Sequence, residues 1–217
     1  MEICQSEALR YLGYRANRQP DAQTLALLQE TQAQLEAVLA PKSIYKEVTL
    51  HRISESETEV GGIVFQSRKL QTHLRDADRI LLFAATLGTG ADRLVRRFAA
   101  ADETAKAAAA QALGAAAIEG YCDEICAEIA EKEAKSGYYL RPRFSPGYGD
   151  LPLEAQRDFF RLFDITKRIG VTLTAQCMML PTKSVTAFIG LSKTPSCATP
   201  RCETCPDTAC AYRKGET

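Results

Sequence analysis

The chain has 217 residues, of which 46% are hydrophobic, and its 27 Lys and Arg residues are balanced by 27 Asp and Glu residues. This length and composition predict one folded domain with a hydrophobic core, or one domain with a small appendage, and exclude a wholly disordered chain. A formal net charge of zero argues against non-specific binding to nucleic acid, because such binding depends on neutralising phosphates.

The sequence carries no signal for a membrane or for export. No apolar run approaches the roughly 20 residues that cross a bilayer, and the start of the chain, Met1 to Glu7, lacks the basic and apolar stretches of a signal peptide. We therefore expect a cytoplasmic protein without a membrane partner. In a reducing cytoplasm the eight cysteines indicate metal binding or catalysis rather than disulfides.

The first half of the chain is predicted to mix helices and strands without a regular alternation. Helical spacing of Leu residues predicts an amphipathic helix over 21–40, which Pro41 ends. Polar and apolar residues alternate over 44–53, which predicts one half-buried strand. The next segments are a short strand ending near Phe65, a helix around Leu70 and Leu74, and a strand over Ile80–Ala85 whose continuous apolar run indicates burial on both faces.

The second half begins with an alanine-rich helix predicted over 102–135, with Asp102 as its N-cap. The remaining predictions are a helix over 153–168 and strands over 171–177 and 184–189. From Lys193 the composition changes abruptly to Cys, Pro, Thr and charged residues. We therefore predict an α+β domain over 1–192, with a mostly antiparallel twisted sheet packed with long helices, followed by a small Cys-rich C-terminal tail over 193–217.

The loop over 140–150 concentrates polar groups on a stiff backbone. Pro142 and Pro146 restrict it, and its arginines offer planar forks that suit a carboxylate or a phosphate. The ring face of Tyr148 attracts cations. These residue types favour a ligand-binding loop, and a plain surface turn is the alternative.

A family resemblance rests on this loop. The run Arg143-x-Ser145-Pro146-Gly147-Tyr148-x-x-x-Pro152 resembles the signature of the activation domain of cobalamin-dependent methionine synthase. The resemblance continues in register to residue 185, through Leu173-Thr174, Met179, Pro181 and Ser184-Val185. Where that family has an acid, this chain has Ala175, and the family's later ligand-contacting tyrosine has no match here.

The resemblance implies a binding function. In that family the domain binds S-adenosylmethionine and presents its methyl group to a corrinoid whose cobalt has been oxidised, and the rescue also needs one electron. By position, Arg143 is assigned to the ligand's carboxylate and Glu119 to its ammonium. The backbone near Ser145 and Gly147 is assigned to the adenine side, and Tyr148 to the pocket lining. No residue is assigned a catalytic role.

The tail contains four closely spaced thiols, which suit zinc or an iron–sulfur cluster. They are Cys197, Cys202, Cys205 and Cys210. We favour an iron–sulfur cluster slightly, because reactivation needs an electron, and a flexible tail with oxidisable cysteines is the alternative. Cys122 and Cys126 lie one helical turn apart, and without a third ligand we expect them to pack against the core.

The resulting functional hypothesis is an accessory protein of methionine biosynthesis. It would bind S-adenosylmethionine and reactivate a separate cobalamin-dependent methionine synthase that lacks its own activation domain, with an electron donor protein as a further partner. It would be a component of a methyltransferase system rather than a complete enzyme. Two alternatives stay open: an iron–sulfur reductive activase for another corrinoid protein, and a non-catalytic ligand-binding domain with structural zinc.

Overall fold

The computed structural model describes residues 3–14 and 19–195. The helices of this part are α1 (Gln5–Tyr11), α2 (Ala22–Glu36), α3 (Arg68–His73), α4 (Gly90–Ala100), α5 (Thr104–Ala134), α6 (Ala155–Leu162) and α7 (Ile165–Ile169). The strands are β1 (Lys42–Val48), β2 (Leu50–Arg52), β3 (Glu57–Val60), β4 (Ile63–Gln66), β5 (Arg79–Thr86), β6 (Tyr139–Leu140), β7 (Thr172–Leu173), β8 (Met179–Leu180) and β9 (Ser184–Ser192).

The described chain divides into two compact units, each of which is considered by itself. The first contains the described residues up to Ala40 together with Thr89–Tyr121, and the second contains Pro41–Gly88 and residues 122–195. Helix α5 is continuous through the boundary, so its beginning belongs to the first unit and its end to the second.

The first unit is helical. Helix α2 begins where the Asp21 carboxylate accepts a hydrogen bond from the Thr24 amide at 2.7 Å, which satisfies one of the free N–H groups of the first turn. Helix α4 begins at Gly90, which lies against the main chain just after the end of α2. A Cβ atom added at Gly90 would lie 1.9 Å from the Val38 carbonyl oxygen. Only glycine allows this close approach.

The second unit is built on antiparallel sheets. Its main sheet has the order β1-β5-β9-β6, and β5 and β9 are paired along their whole common length, from Thr86 opposite Ser184 to Arg79 opposite Leu191. Strands β2, β3 and β4 form a separate three-stranded meander, and β7 and β8 form a hairpin. The predicted α+β class with mostly antiparallel pairing is confirmed.

Aromatic packing holds the core of the second unit. The ring of Phe188 on β9 meets Phe159 on α6 and Phe65 on β4 edge-to-face, with ring centroids 5.0 and 5.1 Å apart. All three side chains are almost fully buried. Such pairs add about 0.5–1.5 kcal/mol each to the gain from burial, so they fix α6 and the meander against the main sheet.

The single strand predicted over 44–53 is wrong, because the chain changes sheet at Thr49. Strand β1 ends at Val48 in the main sheet, and β2 begins at Leu50 in the meander. Val48 and Leu50 still pack against the same core cluster. The alternation of apolar residues therefore survives the bend and could not reveal it.

Three further predictions need correction. The helix over 153–168 is interrupted at Phe163, whose extended backbone separates α6 from α7. The strand over 171–177 is reduced to β7, because the chain turns after it and Cys177 adopts a positive φ of 61°. Asp102 is not the N-cap of α5, since it has a φ of 58° and α5 begins two residues later.

The remaining predicted elements are present. The strand predicted over Ile80–Ala85 is found as β5 and is buried on both faces. No helix in the described part of the chain is both long enough and apolar enough to cross a bilayer.

Candidate functional site

The loop over 141–150 is tied to the second unit at its first residue. The Arg141 amide donates to the Gly190 carbonyl at 2.7 Å, and its guanidinium pairs with Asp76 and donates to the Thr194 carbonyl at 3.0 Å. The hydrogen bond from Arg141 lowers the pKa of Asp76. Arg141 is only 9% exposed. The fork of Arg141 therefore binds a carboxylate of the chain itself, and Arg141 is a structural anchor.

The far end of the loop is held by Asp150. Its carboxylate accepts hydrogen bonds from the Ser67 hydroxyl, the Arg68 amide at 3.0 Å and the Lys69 amide at 3.2 Å. These bonds, that of Ser67 first, lower the pKa of Asp150. The loop is thereby attached to the first turn of α3.

The middle of the loop continues the main sheet by one bridge. Phe144 exchanges two backbone hydrogen bonds with Phe188 of β9, at 3.0 and 2.8 Å. The rings of His73 and Tyr148 flank the Phe144 ring at centroid distances of 5.2 and 6.1 Å, and His73 Nε2 lies 2.8 Å from the Pro142 carbonyl oxygen. No pattern in the sequence had assigned His73 this supporting position.

Ser145, Gly147 and Tyr148 form one tight turn. The Tyr148 amide donates to the Ser145 carbonyl at 3.0 Å, and the Gly147 amide donates to the Leu151 carbonyl at 2.9 Å. Gly147 has a φ of 91°, a conformation that side-chain-bearing residues rarely adopt. The Gly147 and Tyr148 amides are therefore used inside the loop. The Tyr148 ring is 49% exposed, and its free part can meet a ligand.

Arg143 pairs with an acid of α5. Its Nη1 donates to Asp123 Oδ1 at 2.8 Å and approaches Cys126 Sγ at 3.7 Å, and both partners lie on the second-unit part of α5. Burial by itself would lower the pKa of Arg143, but Cys122, Asp123 and Cys126 together raise it above its ordinary value. The Arg143 side chain is 16% exposed and that of Asp123 is 73% exposed.

Four of the five predicted ligand-binding residues lie on this loop: Arg143, Ser145, Gly147 and Tyr148. Glu119 lies on the first-unit part of α5, so its proximity to that loop stays a prediction. Sequence reasoning missed Asp123. The available signal was its helical spacing, because Asp123 follows Glu119 by four residues and so shares its helix face.

Six of the eight cysteines are either a helix pair or predicted tail ligands. Cys122 is buried, as predicted, whereas Cys126 is partly exposed beside Arg143. The predicted metal ligands Cys197, Cys202, Cys205 and Cys210 all lie outside the described residues. Within residues 3–14 and 19–195, no group of three or more His, Cys, Asp or Glu side chains could hold a metal ion.

Comparison with known proteins identifies related domains. The model of the family described as "Vitamin B12 dependent methionine synthase, activation domain" matches residues 70–197, which is more than half of the chain. The fold is similar to the solved structure of the MetH reactivation domain bound to AdoHcy, with a TM-score of 0.60 and 18% sequence identity. The match covers 77% of this chain and 65% of that one. No curated protein matches the chain.

Proposed function

The chain belongs to the family of activation domains of vitamin B12-dependent methionine synthase, and on this basis we propose that it binds S-adenosylmethionine at residues 143–148. The similar solved domain holds AdoHcy, the product that S-adenosylmethionine leaves after losing its methyl group. The family implies a cobalamin-binding methionine synthase as the partner.

The observation that carries the proposal is the Arg143–Asp123 pair at the side of a braced loop. The ligand has a carboxylate, an ammonium and a sulfonium group, and it therefore needs a guanidinium, an acid and an aromatic face. Arg143 and Tyr148 supply the guanidinium and the aromatic face within the second unit. Glu119 is proposed as the acid for the ammonium, and Asp123 holds the Arg143 guanidinium until the ligand's carboxylate replaces it.

The residues of this chain act by binding and positioning. Arg143 orients the amino-acid end of the ligand, and the turn at Ser145–Tyr148 supports its adenosine end. When bound, S-adenosylmethionine supplies an electrophilic methyl group to the reduced cobalt of the partner's cofactor. Because Arg141, Phe144 and Asp150 hold the loop at three points, its geometry is set before the ligand arrives, which lowers the entropic cost of binding.

Isothermal titration calorimetry tests the binding proposal. We expect S-adenosylmethionine to bind the wild-type chain. Arg143→Ala should weaken this binding by about 10- to 100-fold, because the charge-assisted hydrogen bonds between the guanidinium and the ligand's carboxylate are lost. Arg93→Ala, which removes an exposed arginine elsewhere, is the matched control. Binding of 5′-methylthioadenosine, which lacks the amino-acid group, should be the same in Arg143→Ala as in the wild type. A wild-type chain that does not bind S-adenosylmethionine contradicts the proposal.

We propose further that the chain acts as a separate accessory protein. The test mixes it with a cobalamin-dependent methionine synthase that lacks an activation domain, a one-electron reductant and S-adenosylmethionine. Conversion of the cobalt(II) absorption spectrum to that of methylcobalamin supports the role. A spectrum that stays unchanged, with S-adenosylmethionine binding intact, contradicts it.

The tail cysteines are proposed to bind a metal outside the domain formed by residues 1–192. Metal analysis of the purified chain distinguishes iron with sulfide from zinc, and Cys202→Ser with Cys205→Ser should remove the metal. If those substitutions leave the metal content unchanged, or if no metal is bound, the tail is not a metal site. Loss of cobalt reduction with an intact fold would favour the iron–sulfur alternative.

A further inference from the structure

A groove of about 770 Å³ runs along the free edge of β1, and its lining lies wholly in the second unit. Three segments form it: four consecutive residues of β1, one face of α5, and the junction between α6 and α7. The lining residues that the argument uses are Tyr45, Lys46, Ile129, Lys132, Phe163 and Arg168. Because β1 and β6 are the two opposite edges of the main sheet, this groove is distinct from the loop that follows β6.

The β1 edge is open. Strand β1 pairs with β5 on one side, and no other described strand pairs with it. In the part of the chain that the structure describes, no other backbone hydrogen bond reaches the residues of this strand from Ile44 to Val48. Side chains of a strand alternate between its faces, so a groove lined by four successive residues runs along the backbone itself.

The floor of the groove is apolar, and a hydrogen bond at the rim joins two of its walls. Ile129 of α5 is 2% exposed and Phe163 is 5% exposed, so both form part of the floor. At the rim, Lys132 Nζ donates to the Tyr45 hydroxyl at 3.2 Å and lies 5.3 Å from the centroid of that ring. This contact links the wall formed by α5 to the wall formed by β1.

The rim is positively charged although the whole chain has no net charge. Its cations are Lys46, Lys132, Arg161 and Arg168, and its acids are Glu128 and Asp164. Arg161 bonds to Asp158 outside the lining, at 3.0 Å. Among the described residues, Lys46 and Arg168 make no side-chain hydrogen bond or ion pair. The groove therefore presents cations that have no acidic partner within the described part of the chain.

We propose that this groove binds an extended acidic segment of a partner polypeptide, which adds to β1 as a further strand. Main-chain groups of β1 would pair with the segment's backbone, its apolar side chains would face Ile129 and Phe163, and its carboxylates would meet Lys46 and Arg168. A segment of about six residues spans about 20 Å, so it covers the four lining residues of β1 with about one residue to spare at each end. A small anion would use the cations and leave the open backbone edge unpaired.

Fluorescence anisotropy with a labelled hexapeptide of alternating glutamate and valine tests the proposal. We expect saturable binding that high salt weakens. The double variant Lys46→Glu with Arg168→Glu should weaken it by about tenfold or more. Lys42→Glu with Lys167→Glu is the matched control, because it makes the same charge change on the same two elements outside the groove lining, and it should change the affinity by less than about twofold.

A second peptide, N-methylated at alternate backbone amides, separates strand addition from simple charge attraction. It should bind at least about tenfold more weakly, because it cannot complete the hydrogen-bond ladder. Equal binding of the two peptides overturns the proposal. So does binding of inorganic pyrophosphate to the groove without peptide binding, or the absence of peptide binding, in which case the edge lysines only guard β1 against aggregation.

Discussion

Replacing Asp123 with Asn should tighten the binding of S-adenosylmethionine. In the absence of ligand, Arg143 Nη1 donates a hydrogen bond to Asp123 Oδ1 at 2.8 Å. The ligand's carboxylate therefore has to compete with Asp123 for the same guanidinium. Because the Asp123 side chain is 73% exposed, the pair is a surface ion pair worth about 0.2–1 kcal/mol. Removing that competition corresponds to about a 1.4- to 5-fold lower dissociation constant.

Titration calorimetry at two ionic strengths measures this effect. The difference between wild type and Asp123→Asn should shrink at high salt, because salt screens the exposed pair. Glu131→Gln removes one negative charge from an exposed position of the same helix and is the matched control. Thermal unfolding of each variant verifies that the fold is retained.

The opposite result would refute this reasoning. If Asp123→Asn weakens binding by more than the control does, Asp123 contacts the ligand's ammonium instead of competing with its carboxylate. Equal affinities of wild type and variant at low salt would mean that the ligand does not reach Arg143 Nη1.

Asp150→Asn should lower the melting temperature at pH 7, and its difference from wild type should shrink as the pH falls below about 4, because a carboxyl whose pKa is lowered in the folded state loses its contribution on protonation. A difference that is constant between pH 3 and pH 7 would contradict this assignment. Gln156→Ala should reduce the free energy of unfolding by about 1–3 kcal/mol, because it leaves the buried Thr186 hydroxyl without its acceptor at 2.8 Å. Urea denaturation measures this loss, and a loss below about 0.5 kcal/mol would be inconsistent with the buried bond. Phe159→Ala should cost about 3–5 kcal/mol in the same assay, and a loss under about 1 kcal/mol would mean that the aromatic core repacks.

The elements whose burial is uniform were the easiest to predict from sequence. Strand β5 is buried on both faces, so its apolar run is visible without any knowledge of its partners. The break at Phe163 and the change of sheet at Thr49 are set by packing between distant segments. A local pattern of apolar residues continues through both points and carries no mark of them.

The site shows the same division. The prolines, glycines and arginines of the 141–150 loop predict a stiff polar segment. The family signature also consists of residues that are close together in the sequence. Its anchors are not local, because Arg141 and Asp76 are separated by 65 positions and Asp150 and Ser67 by 83. Only the folded topology brings these residues together, so the sequence could not show that the Arg141 guanidinium pairs with Asp76.

The part of the chain that matches the family model does not include every strand of the main sheet. The match begins at residue 70, downstream of β1, whereas β1 covers one edge of β5 from Lys42 opposite Thr86 to Val48 opposite Ile80. A recombinant fragment trimmed to the matched residues would expose the bare flank of an eight-residue, almost wholly apolar strand. Exposed flanks of this kind template intermolecular association, so fragments intended for solution work should begin no later than Pro41.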